Sequence, residues 1–128
     1  MSEARKDDSE KLRYDLVPPY ALEQLVKVFT MGAKKYADNN YRFGLAWSRV
    51  YAAIQRHLEG WRKGEEVDQE SGVSHLAHAA WGCFALLEYS KMRTEFDDRP
   101  ITWDKSKDII SGLIDDSQWF CGGKNGGV

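Results

Sequence analysis

The run H-L-A-H-A-A-W-G-C-F-A-L-L-E-Y-S-K-M, residues 75–92, is apolar on nearly every side when wound as a helix. It is rich in Ala and Leu, which favour helix, and it is too long for an ordinary strand. A helix without a continuous polar face must be covered by its neighbours. The pattern therefore predicts a helix starting near Ser74 that lies at the centre of an all-α domain or at an interface between copies of the chain.

Two further stretches show helical spacing. Pro18 and Pro19 suit a helix entry, and from there Leu22, Leu25, Val26 and Phe29 recur with a pattern that runs to about Tyr36. Asp38, Asn39, Asn40 and Gly44 then break the pattern with turn-forming residues. Trp47, Val50, Tyr51, Ile54, Leu58 and Trp61 give a second apolar stripe, and Gly64 suits its C-terminal cap. A fourth amphipathic element carries Ile109, Ile110, Leu113 and Ile114, with Asp104 or Ser106 as its cap. With 128 residues, 42% of them apolar, the chain suits one domain. The reading is a four- to five-helix bundle over residues 11–116, between a charged arm at 1–10 and a Gly-rich tail at 117–128, completed by packing against a second copy as a dimer or dimer of dimers.

All three histidines fall between Arg56 and His78, in R-H-L-E-G-W-R-K-G-E-E-V-D-Q-E-S-G-V-S-H-L-A-H. His75 and His78 are one helical turn apart and share a face, whereas His57 belongs to the preceding helix. The connection supplies Glu65, Glu66, Asp68 and Glu70. Two helices and an acidic bend thus bring imidazoles and carboxylates toward one point, a donor set that suits a divalent cation. Each member also has a structural explanation: a single histidine beside an apolar stripe is most often a packing residue, and Asp and Ser in D-Q-E-S-G supply local hydrogen bonds at a helix start. The H-E-x-x-H zinc signature is absent.

A second group of residues surrounds G-A-K-K-Y-A-D-N-N-Y. Lys34 and Lys35 end a helix, where cations oppose the negative end of its dipole. With Lys11, Arg13 and Arg56 they also form a set able to bind phosphates, and Tyr36, Asn40, Tyr41 and Trp47 offer stacking and hydrogen bonds to a base.

Composition narrows the function classes. The 20 acidic and 18 basic residues leave a formal charge of −2, which argues against a nucleic-acid polymer as partner. No apolar run is long enough to span a membrane, and the first ten residues lack a signal-peptide core. Cys83 and Cys121 sit in unlike settings, which argues against a structural disulfide and fits a reducing cytoplasm.

The blocks K-L-R-Y-D-L-V-P-P, G-A-K-K-Y, N-Y, G-L-A-W-S, R-H-L, G-E-E-V-D-Q-E-S-G and H-L-A-H-A, in this order over roughly residues 11–90, resemble the bacteriophage dATP/dGTP diphosphohydrolase family, itself similar to MazG-like all-α nucleotide pyrophosphohydrolases. The resemblance implies a MazG-like helical, oligomeric enzyme. It would use a divalent metal to split a purine deoxynucleoside triphosphate into the monophosphate and pyrophosphate. The MazG pattern is built from carboxylates, E-E-x-x-E on one helix and E-x-x-D on the next. R-H-L-E-G and H-L-A-H stand here instead, and imidazole shifts the expected metal from Mg toward Mn, Co or Zn.

The expected metal ligands are His57, Glu65, Asp68, His75 and His78. Glu70 or Glu66 is the expected base, and Lys11, Arg13, Lys34, Lys35, Tyr36, Asn40, Trp47 and Arg56 form the expected substrate-binding set. The competing readings are another type of metal-dependent phosphohydrolase and a non-catalytic helical interaction module.

Overall fold

The computed structural model describes residues 2–100; the expected fourth helix and the Gly-rich tail lie outside this range. The described residues fall into two compact units that divide between Tyr14 and Asp15. In residues 2–14 the Lys11 backbone N–H donates to the Asp8 carbonyl at 3.0 Å, and the Ser9 hydroxyl donates to Asp7 at 3.4 Å.

Asp15–Pro100 carries three α-helices: α1 (Pro19–Lys35), α2 (Trp47–Arg62) and α3 (His75–Met92). Among the described residues there is no strand, only an isolated antiparallel bridge between Val67 and Ser74. Proline occupies the first turn of α1, where its missing N–H costs nothing. Lys34 and Lys35 lie in its last turn. Of the stripe read from the sequence, Leu25 is buried, while Leu22 and Val26 stay exposed; the inward face passes instead through Val28 and Met31.

Helix α3 packs against both α1 and α2, the central of the two places its composition allowed. Its buried residues are mostly small: Ala77, Ala79, Gly82 and Ala85. Small side chains let α2 approach closely, and Trp47, Val50 and Ile54 of α2 fill the space above them. Burying each of these larger side chains is worth roughly 1.5–3 kcal/mol. Tyr89 is fully buried, and its hydroxyl donates to the Tyr41 carbonyl at 2.6 Å.

The turn Asn40–Phe43 joins α1 to α2. Gly44, at φ 103°, follows it, and the Phe96 ring fills the space where a Cβ would stand. Phe29, Tyr41 and Trp81 meet edge to face with centroids 5.7 to 6.3 Å apart, tying α1, the turn and α3 together.

Beyond α3 the chain returns to the start of α2. Asp98 accepts from the Ser48 backbone N–H at 2.9 Å and from its hydroxyl, capping a helix that has no cap of its own. The Arg99 guanidinium lies 4.8 Å above the Trp47 ring. No helix among the described residues is long and apolar enough to cross a membrane.

Candidate metal centre

The site is built where α2 ends and α3 begins. Helix α2 closes in a Schellman motif: the Glu65 N–H donates to the Gly60 carbonyl at 3.0 Å and the Gly64 N–H to the Trp61 carbonyl at 2.9 Å. Gly64 takes the left-handed region this motif needs, at φ 99°. The bend is then pinned by its own backbone. Asp68 N–H donates to the Val73 carbonyl at 2.9 Å, Gly72 N–H to the Asp68 carbonyl at 2.7 Å, and His75 N–H to the Glu66 carbonyl at 3.0 Å. Ser74 caps α3 by accepting from the Leu76 N–H at 3.1 Å. The next residue is His75, so the cap fixes where this imidazole begins.

The three histidines converge as the spacing implied. His57 Nδ1 and His75 Nδ1 are 2.9 Å apart, and the His57 and His78 rings stack at 4.5 Å with 7° between their planes. One donor atom each from His57, Asp68 and His75 lies within 4.8 Å of the others. His75 is buried, and its ring rests against Gly60, where an added Cβ would lie 2.8 Å from Nε2. That glycine was visible in R-H-L-E-G, but its packing role depends on α3 and could not be read from α2 alone.

The remaining expected ligands have other partners. Glu65 accepts from His75 Nε2 at 2.6 Å. His78 Nε2 meets Ser71 Oγ at 2.7 Å and stands 4.0 Å from Asp68. Ser71, absent from the expected site, also donates its backbone N–H to Asp68 at 3.0 Å and accepts from the Val73 N–H at 3.2 Å. The signal for it was the local D-Q-E-S-G hydrogen-bonding pattern.

Electrostatics favour the forms that bind cations. Burial, reinforced by the neighbouring His78, pushes the His57 pKa down against the pull of Asp68. Burial likewise lowers that of His78, again opposed by Asp68. Burial alone would raise the Asp68 carboxyl, but hydrogen bonds from Ser71 and the charges of His78 and His57 outweigh it, and it ends below the usual range. Neutral imidazoles beside an ionised carboxylate are the protonation states that metal ligands require. The donor set fits a divalent cation of the Mn, Co or Zn type.

The expected phosphate and base contacts are less gathered. Lys35 pairs with Glu70 at 3.5 Å and lies 5.4 Å from the Tyr36 ring, which links the end of α1 to the bend. Lys34, Tyr36, Asn40 and Arg56 are exposed, Arg56 immediately before His57 on α2. Trp47 is a core residue, 7% exposed, with its indole N–H buried and without a partner among the described residues. It lies ten residues before His57, about 15 Å along the helix axis. Glu66 is exposed and contributes its carbonyl to the His75 N–H. Lys11 and Arg13 belong to the separate N-terminal part.

The family model described as dATP/dGTP diphosphohydrolase, N-terminal, matches residues 1–99. The chain belongs to this family. The match includes the whole His57–His78 region, so the site just described falls within the family's N-terminal domain. A Salmonella phage PMBT28 protein named dATP/dGTP diphosphohydrolase is 33% identical over 94 residues, which are 73% of this chain and 32% of that protein. The chain thus spans about a third of the relative's length. No solved structure matches the chain.

Proposed function

We propose that the chain hydrolyses purine deoxynucleoside triphosphates, dATP and dGTP, to the monophosphate and pyrophosphate with the help of a divalent cation. The observation that carries this reading is the convergence of His57, Asp68 and His75, with donor atoms within 4.8 Å, in a member of the dATP/dGTP diphosphohydrolase N-terminal family. The phage relative's name supports the substrate class.

His57, Asp68 and His75 hold the cation. When bound, it offsets charge on the triphosphate and makes water a better nucleophile. Lys35, with Arg56 and Lys34, binds phosphate oxygens, because attack at the α-phosphorus places further charge on groups already anionic. Lys35 is held by Glu70 in the resting chain, and a phosphate takes the place of that carboxylate. Glu70, once released, or Glu66, whose backbone is tied to His75, accepts the proton of the attacking water. Tyr36 and Asn40 supply base contacts.

The outward face of α3, with Leu76, Phe84 and Leu87 exposed, pairs with a second copy in a dimer or dimer of dimers. Light scattering that reports a single 14.7 kDa chain at micromolar concentration overturns this assembly.

Product analysis tests the activity. Each deoxynucleoside triphosphate is incubated with Mg, Mn, Co or Zn, and pyrophosphate release from dATP and dGTP is the expected result. His57→Ala and Asp68→Asn should each abolish that release while leaving helix content unchanged. Orthophosphate or triphosphate as the product would assign another bond, and no product with any cation would leave a helical interaction module as the reading.

A further inference from the structure

We infer that Glu65 is a positioning residue: held by the Schellman end of α2 and seated beside Gly60, it fixes the proton of His75 on Nε2 and leaves Nδ1 as the nitrogen that faces the cation. This rests on the cation reading above and sharpens it by removing Glu65 from the ligand set.

An ionised carboxylate only accepts, so at the 2.6 Å contact His75 Nε2 carries the hydrogen and Glu65 Oε1 receives it. The cation-binding, neutral form of the ring has one N–H, and His75 Nδ1 is then a lone pair. It points at His57 Nδ1, 2.9 Å away, which supplies the hydrogen in the cation-free chain. Glu65 thus sets the tautomer of the buried ring, and that ring sets the hydrogen of the next. The outer carboxylate of a carboxylate–histidine–metal unit has this role.

The main chain explains why Glu65 is the acid that reaches His75. Gly60 serves both partners: its carbonyl accepts the Glu65 N–H at 3.0 Å, and its lack of a Cβ leaves room for the His75 ring. Glu66, Asp68 and Glu70 lie further along the bend with other contacts: the Glu66 carbonyl on His75 N–H, Asp68 on Ser71, and Glu70 on Lys35. The Glu65 side chain is 44% exposed against 6% for His75, so its removal leaves no core cavity.

The test reads tautomer and cation affinity rather than turnover. Long-range ¹⁵N–¹H spectra of the cation-free wild type should show His75 protonated on Nε2. Glu65→Ala should move part of the population to Nδ1–H and weaken Mn²⁺ and Co²⁺ binding, followed by calorimetry, about 10–100-fold. Glu65→Gln, whose amide oxygen still accepts from Nε2, should lose less. Gly60→Ala, which pushes a methyl against the ring, should weaken binding with Glu65 intact. His75 protonated on Nδ1 in the wild type, or Glu65→Ala binding within twofold of wild type, would overturn the inference. A wild type that takes up none of Mn²⁺, Co²⁺ or Zn²⁺ sinks the cation reading itself, and the two failures are told apart because the tautomer is read without any ion.

Discussion

Gly82→Ala puts one methyl group into the closest approach of α2 and α3. In an unobstructed helix interior this change stabilises by about 1 kcal/mol, because glycine loses more backbone freedom on folding. Here the added Cβ would overlap the Ile54 side chain, lying 2.9 Å from its Cδ1 and overlapping Cγ1 more severely, with Val50 Cγ1 at 3.6 Å. Ile54 cannot easily turn away, since a β-branched side chain in a helix has essentially one χ1 rotamer. Overpacking of this kind costs about 1–3 kcal/mol. The propensity gain of about 1 kcal/mol offsets part of that, leaving a net loss of about 0–2 kcal/mol, or up to roughly 8–16 °C in Tm for a domain of this size.

Thermal and urea unfolding followed by circular dichroism would measure it for wild type, Gly82→Ala, Ile54→Ala and the double variant. Ile54→Ala alone should cost about 2–5 kcal/mol through the cavity it leaves. The double variant should be less destabilised than the sum of the singles by about 1–2 kcal/mol, because the new methyl then occupies vacated space. A Gly82→Ala protein more stable than wild type, or strictly additive singles, would refute the close approach. The stakes extend beyond stability: Ile54 is one turn from His57 and Gly82 one turn from His78, so this contact sets the helix spacing on which the imidazole cluster depends.

Three further outcomes are expected. Ser74→Ala should cost about 1 kcal/mol by uncapping α3, whereas Ser74→Asp should retain most of the stability in the same urea titrations. Tyr89→Phe removes one of two donors to the Tyr41 carbonyl, which keeps the Gly44 N–H at 3.0 Å, and should cost about 0.5–1.5 kcal/mol, visible as a lower urea midpoint with an unchanged m-value. Hydrogen bonds from the Ser48 hydroxyl and backbone N–H hold the Asp98 carboxyl below its ordinary value of 3.8. Its contribution is therefore present above that value in the folded chain and lost as pH falls through the depressed folded pKa. Melting curves from pH 5 to pH 3 should accordingly show a smaller acid-induced drop for Asp98→Asn than for wild type.

The helices were legible because their signals are local. Pro18 and Pro19 marked the start of α1, Gly64 the end of α2 and Ser74 the start of α3, and each signal acts within a few residues of itself. The convergence of the histidines was legible for a similar reason, since a helical hairpin with a short bend leaves little freedom. Roles within the cluster were not legible. Whether an acid faces a cation or holds an imidazole depends on which side of the ring it meets, and only the packing of His75 against Gly60 decides that for Glu65. Trp47 looked available for stacking, but its place in the stripe of α2 that faces α3 buried it. The cap from Asp98, 50 residues from Ser48, has no trace in the local pattern at either end.

The bend from Glu65 to Ser74 is tied at both ends to neighbouring turns of backbone, through Glu65 to Gly60 and through His75 to Glu66. Such a clasp reads number more strictly than spelling. Exposed positions such as Gln69 can change identity and leave every tie intact, whereas one inserted residue between Glu66 and Ser74 would break the pairing of Asp68 with Val73 and of His75 with Glu66 that sets the first turn of α3, and with it His75 and His78 relative to His57.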